Sequence, residues 1–208
     1  MERNWRELIK PSRLEVDEES RSNHYAKFAC EPLERGFGHT IGNALRRILI
    51  SSLQGAAITN VRIAGVLHEF STIPGVLEDV SDIILNLKGV RLRYLGQADQ
   101  TLTIKQDHEG VVRAGDIKCP PGVEVLNPEH HICTVGPEGG IDAELTVATG
   151  KGYVTADRNK NPEDPIGVIA LDAAFSPITK VNYVVTQARV GQITDYDKLT
   201  LEVHTNGA

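Results

Sequence analysis

The sequence is organised around the segment GFGHTIGNALRRILISSL, residues 36–53. Its apolar residues recur at steps of three and four, the spacing that places side chains on one face of an α-helix. Thr40 is the predicted N-cap, because its hydroxyl can accept a hydrogen bond from an amide of the first turn. Arg46 and Arg47 lie at the edge of the apolar stripe, where a guanidinium can reach outward. The segment therefore predicts an amphipathic helix carrying two cations suited to contact a partner.

Alternating polarity predicts β-strands on both sides of this helix. One further helix is predicted behind Asp79, with an apolar face formed by Val80, Ile83, Ile84 and Leu87. The sequence therefore predicts an α+β protein dominated by antiparallel strands, with few helices. The predicted strands lie at 13–17, 25–31, 60–63, 90–94, 101–104, 141–147, 181–185 and 199–203.

The composition limits the kinds of partner that this chain is expected to bind. The chain has 208 residues and a net charge of −6, from 28 acidic against 22 basic side chains. A surface of this sign repels phosphate backbones, so direct DNA binding is not expected. The three cysteines have no CxxC spacing, which is typical of reduced thiols in the cytoplasm. No apolar run approaches the length of a membrane span, so no membrane partner is expected.

Glycine motifs raise the question of a phosphate-binding loop. The glycines at 36, 38 and 42 are spaced one residue too widely for GxGxxG. Gly150-Lys151-Gly152 lacks the Ser or Thr that would hold Mg²⁺. Tight turns and close packing are the favoured interpretation of both motifs. No cofactor is therefore expected to bind this chain.

Three polar clusters contain side chains of the kinds that bind metal ions or act as acids and bases. His68-Glu69 begins like a zinc-protease motif, but Thr72 stands where the second histidine is needed. His130-His131-x-Cys133 could supply imidazole and thiolate ligands, yet no fourth ligand is close in sequence. The carboxylates of residues 78–82 precede a predicted helix, where acids commonly complement the helix dipole. These patterns predict neither a metal site nor a catalytic residue.

Several collinear segments resemble the alpha subunits of bacterial DNA-directed RNA polymerase. The resemblance begins near Lys10-Pro11 and continues to the last residues. Many matching segments in the same order are far more specific than one glycine pattern. The segments are EPLERGFGHT (31–40), GNALRRIL (42–49), GVLHEFST (65–72), LNLKG (85–89), GKGYV (150–154) and DKL (197–199), followed by TNG (205–207).

The resemblance implies a discontinuous dimerisation domain interrupted by a mostly antiparallel β insert. On this sequence the dimerisation and assembly domain would comprise residues 1–53 and 178–208, and the insert residues 54–177. The expected function is to dimerise and to scaffold the two large catalytic subunits for DNA-templated transcription. The chain would do no chemistry itself, and the Mg²⁺ of nucleotidyl transfer would belong to the beta and beta-prime subunits.

The resemblance also assigns residues to the two kinds of contact. Arg47 is the expected centre of subunit assembly, with the beta-type subunit as its partner. Lys88 and the 172–177 neighbourhood are expected to contact the beta-prime-type subunit. The segment from His68 through Asp82 is expected to extend the contact with the beta-type subunit. The further assembly residues are Arg46, His39, Asn43, Leu49, Ser52, His68 and Glu69, and the expected dimer interface comprises Ile41, Ala44, Leu45, Ile48 and Leu53.

Alpha subunits usually continue beyond the equivalent of Ala208 into a helix that completes the dimer interface, a linker and a DNA-contacting domain. Without these parts, less stable dimerisation and no promoter binding are expected.

Glu163 and Asp164 in a predicted exposed loop could contact a basic transcription activator or could merely be solvated. A small-molecule enzyme and an interaction module unrelated to polymerase remain the alternatives. A bound metal or nucleotide would indicate a small-molecule enzyme. Failure to bind the large polymerase subunits would indicate an unrelated interaction module.

Overall fold

The computed structural model describes residues 11, 13–190 and 193–208. The chain divides into two compact units. The terminal unit comprises the described residues of 1–53 together with Pro177–Gly207, and the central unit comprises Gln54–Ser176. The predicted assembly domain begins at residue 1, and its residues 1–10 and 12 lie outside the described part of the chain.

Strands account for most of the regular structure, and the described residues contain three α-helices. In chain order the elements are β1 (Leu14–Val16), β2 (Tyr25–Glu34), α1 (Phe37–Ser52), β3 (Gln54–Ile63), α2 (Val80–Lys88), β4 (Leu92–Tyr94), β5 (Gln100–Gln106), β6 (Gly110–Arg113), β7 (Val123–Val125), β8 (His131–Val135), β9 (Ile141–Lys151), β10 (Tyr153–Val154), α3 (Ala156–Asn159), β11 (Val168–Ala170), β12 (Ala173–Ala174), β13 (Ile178–Val190) and β14 (Ile193–Thr205).

The terminal unit is one antiparallel sheet of four strands, in the order β1-β2-β14-β13, with α1 packed on β13 and β14. The core between helix and sheet is built on Val181, Leu201 and Val203, against which Leu49 and Tyr183 pack. Because β13 and β14 come from the end of the chain and β2 from its beginning, the sheet joins segments that are distant in sequence. Periodicity predicted these strands but not their pairing.

The start of α1 differs from the prediction. The helix begins at Phe37, its N-cap residue is Gly36 with φ of 86°, and Thr40 lies inside the first turns with its hydroxyl donating to the Gly36 carbonyl at 3.2 Å. The prediction that Thr40 is the N-cap was therefore wrong. Asp197 on β14 supplies the missing acceptor, because its Oδ2 atom accepts hydrogen bonds from the amides of Gly36 at 2.8 Å and Gly38 at 3.1 Å.

Replacing Asp197 by alanine is expected to destabilise the terminal unit by about 1–2 kcal/mol, the usual cost of losing a helix cap. The carboxylate also places a negative charge at the positive end of the helix dipole. Urea unfolding of the two proteins would measure the difference. Asp195→Ala is the matched control, because Asp195 is an exposed acid on the same strand whose carboxylate pairs with the exposed Arg35. Equal stability of Asp197→Ala and wild type would contradict the capping role.

The central unit is built on a six-stranded antiparallel sheet, in the order β5-β9-β3-β4-β7, with β11 also paired to β3. Two small sheets, β6-β8 and β10-β12, complete the unit. Helix α2 covers the main core with the side chains predicted for its apolar face, Val80, Ile83, Ile84 and Leu87, all of which are buried. These sheets and the small number of helices confirm the α+β fold class.

Two local expectations about the central unit require correction. The strand predicted at 60–63 begins earlier than expected, since β3 starts at Gln54 and Gly55 pairs with Gly150 on β9. The exposed loop predicted at 157–165 contains most of the one-turn helix α3. Within the described residues, no helix is both long and apolar enough to cross a bilayer.

Candidate assembly surface

Helix α1 contacts its own sheet through glycines rather than through its apolar stripe. Gly38 and Gly42 are its two buried residues. A Cβ atom on Gly42 would lie 2.6 Å from the Tyr183 ring and 2.9 Å from Leu199, and one on Gly38 would lie 2.8 Å from Val185. The helix backbone therefore lies directly against β13 and β14, and most of the apolar side chains remain outside this contact.

One flank of α1 is apolar and uncovered in the single chain. Ile48 exposes 53% of its surface, and Phe37 and Leu45 are also exposed. Large apolar side chains grouped on a surface indicate an interaction site. We call this surface the apolar flank, and its residues are Phe37, Ile41, Ala44, Leu45 and Ile48. Leu53, predicted with this group, follows the helix as its C-cap residue and is exposed at 36%.

A polar row runs along α1 beside the apolar flank. Residues spaced by four lie above one another on a helix, and here they are His39, Asn43, Arg47 and Ser51, all exposed. We call them the arginine row. Across the described part of the chain, neither Arg47 nor Arg46 has an ion-pair partner. The guanidinium of Arg47 is therefore available, with five donors, to a carboxylate or carbonyl of another molecule.

The structure separates some residues that the resemblance grouped with Arg47. Leu49 lies two residues from Arg47, or about 200° around the helix, and packs on the core of the sheet instead. Arg46 lies about 100° from the row. Ser52 adjoins the end of the row, because its hydroxyl is 3.2 Å from that of Ser51. At the other end, the His39 ring meets Tyr183 edge-on at 6.2 Å between centroids.

The second predicted contact segment, around His68 and Glu69, is in the central unit. His68 Nδ1 lies 3.2 Å from the Ser71 hydroxyl, and the Glu69 carbonyl accepts a hydrogen bond from Ser81 at 2.8 Å. These contacts leave the His68 and Glu69 side chains exposed. Phe70 nearby is 81% exposed. The segment is thus held through short polar contacts while it presents side chains to solvent.

Lys88 is the third predicted contact, and the structure brings it to Asp172. Lys88 Nζ donates to Asp172 Oδ2 at 3.1 Å, and Asp172 Oδ1 accepts from the Ala156 amide at 2.8 Å. The Ala156 amide and then Lys88 lower the pKa of Asp172. Partial desolvation and a hydrogen bond to Asp172 raise the pKa of Tyr153. Tyr153 was not singled out from the sequence, although it belongs to the GKGYV segment.

The two histidines and the cysteine of the 130–133 cluster each have their own structural environment. His130 Nε2 lies 2.8 Å from the Asn86 carbonyl oxygen, and His131 Nε2 lies 2.8 Å from Glu78 Oε1. Cys133 is buried, and this burial, followed by the charge of Glu78, raises the pKa of its thiol to about 12. Among the residues that the structure describes, no three His, Cys, Asp or Glu side chains are grouped to hold a metal ion.

The central unit coincides with a known domain family. Residues 61–176 match the family model of the RNA polymerase Rpb3/RpoA insert domain. The chain belongs to this family. The matched range covers α2, the Lys88–Asp172 pair and the segment around His68, so these parts of the candidate surface all lie on the insert domain.

Curated relatives match the whole chain. It is 58% identical over 208 residues to a protein named DNA-directed RNA polymerase subunit alpha from Geobacter metallireducens. Proteins of the same name from Pelobacter propionicus and Syntrophus aciditrophicus are 57% and 55% identical. The chain spans 61% of the length of the Geobacter protein. The matched range includes α1 as well as the insert domain.

Proposed function

We propose that this chain is the N-terminal assembly region of an RNA polymerase alpha subunit, which dimerises and scaffolds the two large catalytic subunits. The observation that carries this proposal is the surface of α1, where the apolar flank lies beside the arginine row. An apolar surface suits a permanent interface, and an unpaired guanidinium suits a directional contact. The relatives named as polymerase alpha subunits support the same proposal.

The proposed dimer joins the apolar flanks of two copies. A two-fold contact is self-complementary, so Ile48 and Leu45 of one copy would be covered by the same helix of the other. Each large aliphatic side chain that leaves water contributes about 1.5–3 kcal/mol. The apolar flank is free for this contact because α1 already packs on its own sheet through Gly38 and Gly42.

The arginine row would bind the beta-type subunit. A guanidinium pairs with a carboxylate through two parallel hydrogen bonds, which fixes orientation as well as adding affinity. Arg47 is also the type of residue that dominates protein interfaces when it becomes buried. The segment at His68 and Glu69 would bind the same subunit, and Lys88 with Asp172 would contact the beta-prime-type subunit.

Arg47→Ala is expected to weaken binding of the beta-type subunit by about 2 kcal/mol or more, roughly 30-fold, while the dimer stays folded. Isothermal titration of the purified chain with the isolated beta-type subunit would measure the loss. Arg158→Ala on α3 is the remote control, and Arg46→Ala shows whether the effect belongs to the arginine row or to any charge on α1. Wild-type affinity of a folded Arg47→Ala dimer would contradict the assignment.

The remaining parts of the proposal concern the assembled enzyme. The large subunits would hold the Mg²⁺ of nucleotidyl transfer, this chain would contact neither DNA nor membrane, and the enzyme would act in the cytoplasm.

Glu163 and Asp164 offer a second surface, for a basic transcription activator. The Asp164 carboxylate accepts a hydrogen bond from the Asn161 amide at 3.2 Å, whereas the Glu163 side chain is exposed. Reversal of both charges, at Glu163 and Asp164, is expected to abolish transcription activation by the basic activator. Unchanged activation would contradict this second surface.

A further inference from the structure

The segment that precedes α2 runs beside β8 as an additional strand. The Leu77 amide donates to the Thr134 carbonyl at 3.0 Å, and the Gly136 amide donates to the Gly75 carbonyl at 2.7 Å. Val76 pairs with Val135 between these two bonds. We call Gly75–Glu78 the added strand. Its single bridge pairs it with β8 at the edge of the β6-β8 sheet, and it is too short and irregular to be predicted from periodicity.

Glu78 holds the end of the added strand through both carboxylate oxygens. Its Oε2 atom accepts a hydrogen bond from the Thr134 amide at 2.6 Å, and Oε1 accepts one from the Thr134 hydroxyl at 3.1 Å. Oε1 also lies 2.8 Å from His131 Nε2. The Glu78 side chain is only 16% exposed. Burial alone would raise the pKa of Glu78, but the hydrogen bonds from Thr134 and His131 outweigh it and lower the pKa.

The added strand presents an apolar side chain to solvent. Leu77, next to Glu78, is 81% exposed, as is Phe70. Leu77 and Val111 line an open groove of about 530 Å³ between the added strand and β6. The strand is therefore anchored by a nearly buried acid while its neighbouring leucine remains uncovered. An anchor of this kind reduces the entropy that the segment must lose when a partner covers it.

We propose that Glu78 is a positioning residue of the assembly surface, which orders the added strand so that Leu77 is presented to the beta-type subunit. This inference rests on the proposed function. Glu78 would touch no partner atom and would act through Thr134 and His131. The sequence predicts no anchoring role for Glu78. The acids of residues 78–82 are expected to complement a helix dipole, and the resemblance places the segment from His68 through Asp82 in the contact with the beta-type subunit. The structure shows that Asp79 is the N-cap residue of α2, whereas Glu78 points its carboxylate to β8.

Hydrogen exchange on the full chain tests the anchoring step without any partner. In Glu78→Ala, exchange of the Leu77 and Gly136 amides is expected to rise on the order of tenfold or more, because charge-assisted hydrogen bonds are lost. Glu78→Gln keeps the size of the side chain and is expected to give a smaller rise. Asp82→Asn is the matched control, since it removes an exposed acid from the same region. Unchanged exchange in both Glu78 variants would overturn the proposal.

Binding of the beta-type subunit tests the assembly step. The same Glu78 variants are expected to bind it several-fold more weakly, with the loss mainly in the association rate because the segment must order on binding. Asp99→Asn, which removes an exposed acid outside this segment, should bind as wild type does. Faster exchange with unaltered binding would overturn the positioning role. Absence of binding by the wild-type chain would instead refute the proposed function, and the exchange result would still show whether Glu78 anchors the strand.

Discussion

Ile48→Glu is expected to convert the proposed dimer into monomers. The Ile48 side chain lies on the apolar flank and is 53% exposed, so the substitution costs little in the single chain. In a two-fold interface the same change occurs twice, and each copy would place a carboxylate in a contact from which water is excluded. The loss of burial alone amounts to about 3 kcal/mol over the two copies, on the order of 100-fold in the dissociation constant.

Sedimentation equilibrium across a range of protein concentrations would measure this shift. Val184→Glu is the matched control, because Val184 is also on the terminal unit and is 56% exposed but lies on β13 rather than on α1. It should leave the association unchanged. Identical sedimentation of Ile48→Glu and wild type, with circular dichroism showing both folded, would mean that the apolar flank is not the dimer interface.

Gly42→Val is expected to destabilise the terminal unit by about 3 kcal/mol, at the upper end of the usual cost of overpacking. The first added carbon would lie 2.6 Å from the Tyr183 ring, far inside normal contact, and the branched methyl groups need further space. Helix α1 could accept them only by moving off β13 and β14. Such a movement would also disturb the hydrogen bonds of the Asp197 carboxylate to Gly36 and Gly38.

Thermal unfolding followed by circular dichroism would detect the change, which corresponds to a fall in Tm of roughly 6–12 °C for a chain of this size. Asn43→Val is the control, because it adds a branched side chain at the neighbouring, exposed position. Asparagine and valine have similar helix propensities, so this control separates overpacking from helix propensity. A Gly42→Val protein as stable as Asn43→Val would contradict the close packing of α1 on its sheet.

Much of the fold was predictable because local patterns were strong. The spacing of Val80, Ile83, Ile84 and Leu87 predicted α2, and all four residues are buried. Alternating polarity located β2, β9 and β14, although the strands are longer than the predicted segments. Strand ends were missed where a glycine occupies a sheet position, as at Gly55, because a residue without a side chain carries no polarity signal.

The candidate surface was less predictable, because it depends on which side of α1 faces the sheet. The helical spacing predicts that Ile48 and Leu49 lie on one buried face of α1, but Leu49 packs on the core of the sheet while Ile48 is exposed. Gly38 and Gly42 make the sheet contact instead, since only glycine allows the backbone to approach Tyr183 and Leu199 so closely. The apolar residues are thereby left exposed, and Leu49 is separated from Arg47.

By itself, the sequence determined helices α1 and α2, the strand-rich composition and the membership of a polymerase family, because these follow from residues that are close along the chain or from collinear motifs. The tertiary structure alone decided three features. These are the capping of α1 by Asp197, the meeting of Lys88 with Asp172, and the anchoring of the added strand by Glu78. Each joins groups between 56 and 161 residues apart, and only the pairing of strands and the packing of helices brings such groups within hydrogen-bonding distance.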